Sequence, residues 1–301
     1  MASGAGRPSL NVSAAAWWFV APALIVIGVF FFLPVLAALL MSLTDYDLYG
    51  LADFRNVRLV GLRNYTELLM TALFWQALGN TLYFVLVGAP VSIAVSISCA
   101  LLLHSRVARF TGFFRTALFA PVVTTLVAVA VIWRYLFHSR YGWLNYALGA
   151  LGLGPIDWLG DPRWAMPAII LFAVWKNFGY NMIIFLAGLQ SIPEELYEAA
   201  RIDGASAGGQ FRYVTLPLLA PIVLMVSILT TAGYFQLFAE PYVMTQGGPL
   251  QSTVSVLYLM YEQGFKFWNL GSASAVAFLL FLLIWSVTAL ELRFSRRELA
   301  T

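Results

Sequence analysis

Charge is scarce in this chain. Only 10% of its 301 residues are charged and 61% are apolar, where soluble domains carry about a quarter charged residues. A water-soluble body of this length cannot cover so much apolar surface, so that class is excluded and a membrane protein remains. Cysteine is nearly missing. Cys99 stands alone in an apolar run, which rules out an internal disulfide framework and reads as a small buried hydrophobe. Histidine is limited to His104 and His138, neither at metal-ligand spacing to Cys, Asp, Glu or the other. There is no G-x-x-x-x-G-K-[ST] phosphate loop, no G-x-S-x-G elbow and no HExxH helix. Asp157 and Asp161 share a Gly/Pro-rich loop, but they read as solvated loop charges rather than an acid–base pair. A net charge of +3, with no basic cluster interleaved with aromatics, excludes nucleic acid as a partner. Alternating ten-residue strands, the mark of a membrane β-barrel, are absent.

What the chain has is long apolar runs. Six of them reach the roughly 20 residues that a bilayer-crossing helix needs: 17–43, 75–103, 113–137, 165–190, 214–239 and 272–292. The first is too long for a signal-peptide core of about 7–15 residues and reads as a retained membrane helix. Pro22, Pro34, Pro90 and Pro121 fall in or near spans, where neighbouring helices re-satisfy the freed backbone groups. The expected fold is an all-α polytopic membrane protein: a short tail 1–16, one six-helix domain 17–292, and a tail 293–301. Six spans put both termini on one side. Segments 1–16, 104–115, 191–213 and 293–301 hold nine arginines, against seven basic residues in the longer segments opposite. This weak bias assigns the termini to the cytoplasm. The opposite loops are rich in aromatics and turn residues, as in Tyr141-Gly142-Trp143 and Thr245-Gln246-Gly247-Gly248-Pro249.

The segment 191–217 carries the clearest local signal. Ser191 three residues before Glu194 fits a capping box, with Pro193 in the first turn. A short helix is expected to run to about Asp203 and to stop at Gly204, which tolerates a left-handed cap. Leu196, Tyr197 and Ala200 share one face; Glu194, Glu198 and Arg201 share another. A second apolar helix is expected to resume at Leu216-Pro217. An ordinary interfacial helix would satisfy the same pattern.

The pattern Glu198-Ala199-Ala200, three residues, Gly204, nine residues, Val214-Thr215-Leu216-Pro217 resembles the EAA loop of binding-protein-dependent ABC importer permeases. The resemblance extends further. It includes Trp175 through Pro193, Tyr242 through Pro249, and Gly61-Leu62-Arg63-Asn64-Tyr65 followed by Trp75 and Asn80-Thr81. Together these are similar to the sugar and glycerol-phosphate uptake group, and to its larger maltose-type subunit, without that protein's extra N-terminal helices and large periplasmic insertion. The resemblance implies a type I ABC importer permease fold and no catalytic residue on this chain. It also implies a coupling helix that seats Glu198, Ala199, Ala200, Arg201, Asp203, Gly204, Leu216 and Pro217 against a cytoplasmic ATPase. The implied partners are a second permease subunit, two ATPase subunits that bind ATP and magnesium, an extracytoplasmic solute-binding protein and the lipid bilayer. The implied location is the bacterial inner membrane, and the implied cycle is alternating access.

Polar side chains at membrane depth usually face a cavity or a bundle interior. Lys176, Asn177, Tyr180 and Asn181 lie in the fourth span, with Lys176 near its outer end and open to snorkelling. Thr230, Tyr234 and Leu237 fall on one face of the fifth, with Gln236 and Glu240 beside it. Tyr234, Phe235 and Gln236 offer the aromatic faces and hydrogen bonds that sugars need. The resemblance points to Gly179, Tyr180, Thr230, Tyr234 and Leu237 as positions lining the substrate site, and Asn181 and Gln236 join them as pathway candidates. Helix–helix packing is the alternative for each. Two rival classes remain: a membrane-embedded enzyme, which would need a convergent acid, base or metal set, and a membrane scaffold, which would need no polar path.

Overall fold

The computed structural model describes residues 14–105 and 109–298. Residues 1–13 and 299–301 of the two expected tails and residues 106–108 of the expected cytoplasmic segment 104–115, with Arg7 and Arg106, lie outside the described residues. Among the described residues, five helices are long and apolar enough to cross a membrane: Ala16–Ser42, Ala72–His104, Pro162–Gln190, Ala207–Phe235 and Leu270–Arg293. These are the first, second, fourth, fifth and sixth spans.

The expected third span, 113–137, is corrected. It consists of two helices, Thr111–Val123 and Leu126–Leu136, bent by 100° where they meet. Thr124 and Thr125 are both extended, so they end one helix and begin the next. Pro121 lies inside the first of these helices and leaves its last turns one N–H donor short. The Thr124 hydroxyl donates to the Pro121 carbonyl at 2.6 Å. The six-span count therefore holds only if this bent pair is taken as one.

Other prolines are absorbed differently. Pro34, Pro90 and Pro217 each sit two residues beyond a widened helical turn, at Gly28–Phe32, Phe84–Gly88 and Phe211–Thr215. The Leu33 N–H reaches back five residues to the Gly28 carbonyl, and the Leu216 N–H likewise to Phe211. The extra residue in the turn relieves the clash that a proline ring imposes on the carbonyl four residues earlier, and the helix continues.

The fourth span is the core. Ile169, Phe172, Met182, Phe185 and Leu189 are fully buried on it, and it packs most extensively on the second span. Small residues allow that approach: Ala89, Ser92, Ser96 and Ala100 are buried on the second span. The Ser96 hydroxyl lies 2.6 Å from its own Ser92 carbonyl and 2.9 Å from the Phe178 carbonyl across the interface. The first span, by contrast, is exposed along its length and touches the rest mainly through its C-terminal half, against the sixth. Its end is held by the segment that follows. The Asn64 amide donates to the Ser42 and Thr44 carbonyls, each at 2.8 Å, and the Tyr65 hydroxyl to the Ser42 hydroxyl at 2.7 Å. Gly271 on the sixth span lies so close that a Cβ there would stand 2.3 Å from the Thr44 carbonyl.

Asp161, read as a solvated loop charge, caps the fourth span. Its carboxylate accepts from the Arg163 N–H at 2.9 Å. Hydrogen bonds from the Arg163 side chain, then from that N–H, hold the Asp161 carboxyl below the usual carboxylate range.

Candidate functional site

Two places collect the sequence-predicted residues. The first is the link between the fourth and fifth spans. A helix runs from Glu194 to Ile202 and none of its residues is buried. The expected capping box does not form. Pro193 occupies the cap position and offers no side-chain bond, while the Ser191 hydroxyl turns back to the Gly188 carbonyl of the fourth span at 2.8 Å. Glu194 and Glu195 still suit the positive end of the helix. The other end is as expected. Gly204 has φ +81°, its N–H bonds to the Arg201 carbonyl, and the Ala205 N–H reaches the Ala200 carbonyl at 2.8 Å. This pair of bonds is a glycine-terminated Schellman cap.

The fifth span starts earlier than expected, at Ala207 rather than 214, because the Ser206 hydroxyl accepts from the Gly209 N–H and starts a turn there. Leu216 and Pro217 thus lie inside a continuous helix. Tyr197 ties the short helix to that span, its hydroxyl 3.0 Å from the Thr215 hydroxyl. On the solvent side, Arg201 pairs with Glu194 at 3.1 Å and stands 3.8 Å from Glu198. Pairs this exposed contribute about 0–1 kcal/mol, so stability does not account for the charges. Ile202 is 86% exposed with nothing of this chain over it.

The second place is a cavity of about 320 Å³ between the fourth and fifth spans. Tyr180, Asn181, Thr230, Tyr234, Gln236 and Leu237 all line it. Gly179 does not. It packs on the third span, where a Cβ would lie 2.4 Å from the Leu118 carbonyl. Leu237 reaches the cavity from outside the expected helical face, because the fifth span ends at Phe235 and Gln236 terminates it. The Asn181 amide donates to the Thr230 hydroxyl at 2.9 Å, joining the two spans. The Tyr234 ring stacks on Phe84 at 4.9 Å, and its buried hydroxyl has no hydrogen-bond partner among the described residues. Gly88 makes room for that ring: a Cβ there would meet it at 2.7 Å.

Lys176 does not snorkel. It is buried, and its ammonium donates to the Val122 carbonyl at 3.1 Å. In an unbroken third span that carbonyl would bond to the Leu126 N–H. The bend frees it, and a cation at a helix C-terminus complements the dipole. Sequence reasoning left Phe84, Val122, Asn177 and Glu240 out of the site, yet all four border the cavity. Asn177 and Glu240 carried a signal as polar groups at span depth; Phe84 and Val122 carried none, because the fold alone brings the second and third spans there.

Two segments far apart in sequence meet in one contact. The Asn80 amide donates to the Gln251 and Val254 carbonyls, each at 2.9 Å, and Gln76 to the Leu250 carbonyl at 3.1 Å. Thr81 accepts from the Val256 N–H at 3.0 Å. The second span therefore clasps the loop that follows Thr245-Gln246-Gly247-Gly248-Pro249.

Residues 92–299 match the family model described as the binding-protein-dependent transport system inner membrane component. The chain belongs to that family. It is a permease subunit of an ABC importer, a multi-pass inner-membrane transport component rather than an enzyme. It is 38% identical over 287 residues to a lactose transport system permease of Rhizobium radiobacter, covering 94% of each chain. It is 36% identical over 279 residues to a trehalose/maltose transport system permease of Thermococcus litoralis, covering 91% of each. Its fold matches a bacterial alginate ABC transporter solved in complex with an alginate pentasaccharide-bound periplasmic protein, with a TM-score of 0.77 at 20% identity over 95% of this chain and 96% of that one. Neither rival class survives: the chain is neither an embedded enzyme nor a bare scaffold.

Proposed function

We propose that this permease carries a sugar, or a related polyol or glycerol phosphate, and that the helix Glu194–Ile202 is the element through which ATP drives it. The observation that carries the reading is a helix with no buried residue, glycine-capped at one end and anchored to the fifth span through Tyr197, with its charges unneeded for stability. A cytoplasmic ATPase subunit is the partner such a helix fits. Relatives named for lactose and for trehalose/maltose transport support the sugar class, as does a cavity that offers the Tyr234 ring beside amide and hydroxyl groups.

The working assembly pairs this chain with a second permease, two ATPase subunits binding ATP and magnesium, and an extracytoplasmic binding protein. Both termini face the cytoplasm. ATP binding closes the ATPase dimer and draws the coupling helices together; the rigid link through Thr215 turns that motion into movement of the fifth span. The cavity then faces outward, and hydrolysis restores the inward state. Each ligand shifts this equilibrium only by its differential affinity for the two states.

Glu198→Lys and Gly204→Trp test the coupling. Gly204 has positive φ, where a bulky residue costs about 1–2 kcal/mol, so the cap distorts. Both variants should insert in the membrane and lose solute-stimulated ATP hydrolysis together with uptake. Uptake at the wild-type rate in both would end the coupling assignment.

A further inference from the structure

A second pocket, of about 590 Å³, lies at the end of the fifth span opposite the coupling helix. The helix Ala239–Met244 divides it from the central cavity: Glu240 borders the one and Tyr242 the other. Aromatic rings build its wall. Phe238 stacks on Tyr242 at 5.2 Å and lies 4.9 Å from Tyr261. Tyr242 meets Tyr261 edge-on at 5.3 Å, and Tyr261 stacks on Phe265 at 5.5 Å. Tyr258 is buried beneath them. The wall is not closed on itself, since Phe265 is 65% exposed and Tyr242 43%. Polar groups share the same concavity: the Tyr242 and Tyr261 hydroxyls, 3.5 Å apart, and the ion pair of Lys266 with Glu262 at 2.9 Å.

Rings that merely anchor a protein at a membrane interface need no concavity and no ion pair among them. Here exposed ring faces and hydrogen-bonding groups converge on one pocket, the composition of a small-molecule site. We infer that this pocket is an outer sugar subsite, which holds the solute against the exposed Tyr242 and Phe265 rings, backed by Tyr261, before it enters the central cavity past the helix Ala239–Met244. An aromatic face takes the C–H side of a pyranose; the hydroxyls and the Glu262–Lys266 pair take its hydroxyl groups. The ligand class is an uncharged sugar, and this assignment rests on the sugar reading above.

The test uses the assembled transporter without its binding protein and measures magnetisation transfer from protein to the ring protons of lactose and of trehalose. Wild type is compared with Phe265→Ala, Tyr261→Ala and Tyr234→Ala, each first shown to be monodisperse and to melt like wild type. Transfer should fall about fivefold in the two outer variants, the scale of losing one aromatic face, and should fall by less in Tyr234→Ala, which removes a ring of the central cavity only. Transfer lost in Tyr234→Ala but intact in the outer variants would overturn the subsite and leave the sugar reading standing. Transfer absent from the wild type with both sugars, while glycerol 3-phosphate binds, would overturn both. Outer variants that keep sugar contact but lose affinity for the loaded binding protein would make the pocket a protein-docking surface instead.

Discussion

Individual residues in this permease answer to backbone problems made elsewhere. Lys176 is the clearest case. By sequence it is a cation near a span end; in the fold it caps a carbonyl that a bend in another helix has freed. Removing it strands that carbonyl, and a buried unsatisfied group costs about 1–3 kcal/mol. Lys176→Met should therefore lower the thermal midpoint of the purified subunit, whereas an unchanged melt would mean that the bend is satisfied some other way. Tyr234 and Gly88 form a second pair. Gly88→Ala should push the Tyr234 ring off Phe84, and Tyr234→Ala should remove it altogether. Uptake should fall in both, with ATPase docking intact. Lost docking with normal transport would reject a substrate role for the ring.

Elements carry a second lesson. The spans were legible because about 20 apolar residues in a row leave few alternatives, and the helix stop at Gly204 was legible because few residues favour that conformation. Other features were hidden for physical reasons. A capping-box spacing at Ser191 was overruled because its hydroxyl had a better acceptor in the last turn of the fourth span. The break after Pro121 could not be read from the proline itself: Pro34, Pro90 and Pro217 follow a widened turn, while Pro22, Pro167 and Pro221 lie inside unbroken helices. The widened turn before Pro217 lies between the helix Glu194–Ile202 and the rest of the fifth span. Pro217→Ala frees that turn to return to ordinary helical register, which rotates the Tyr197–Thr215 tie. The expected outcome is more ATP hydrolysed per solute transported, measured side by side in vesicles; an unchanged ratio would show that the turn has no part in coupling.

At the scale of the molecule, one buried span organises both sites. The fourth span fills the core, presents Tyr180 and Asn181 to the cavity, and leads directly into the helix Glu194–Ile202 proposed to couple to the ATPase. Most of the cavity-lining candidates were readable in sequence as polar or aromatic groups at span depth. Gly179 was not separable from them, since a glycine serving close helix packing and one lining a cavity leave the same mark. The coupling helix can be tested by where it lies. Cys99 is the chain's single cysteine, so a Cys99→Ser background carrying Ile202→Cys places one thiol at the exposed end of that helix. In sealed, right-side-out vesicles holding the assembled importer, a membrane-impermeant maleimide added outside should not label it. A bifunctional maleimide that crosses the membrane should join it to an ATPase subunit. Labelling from outside, or no cross-link in a transporting complex, would contradict the account.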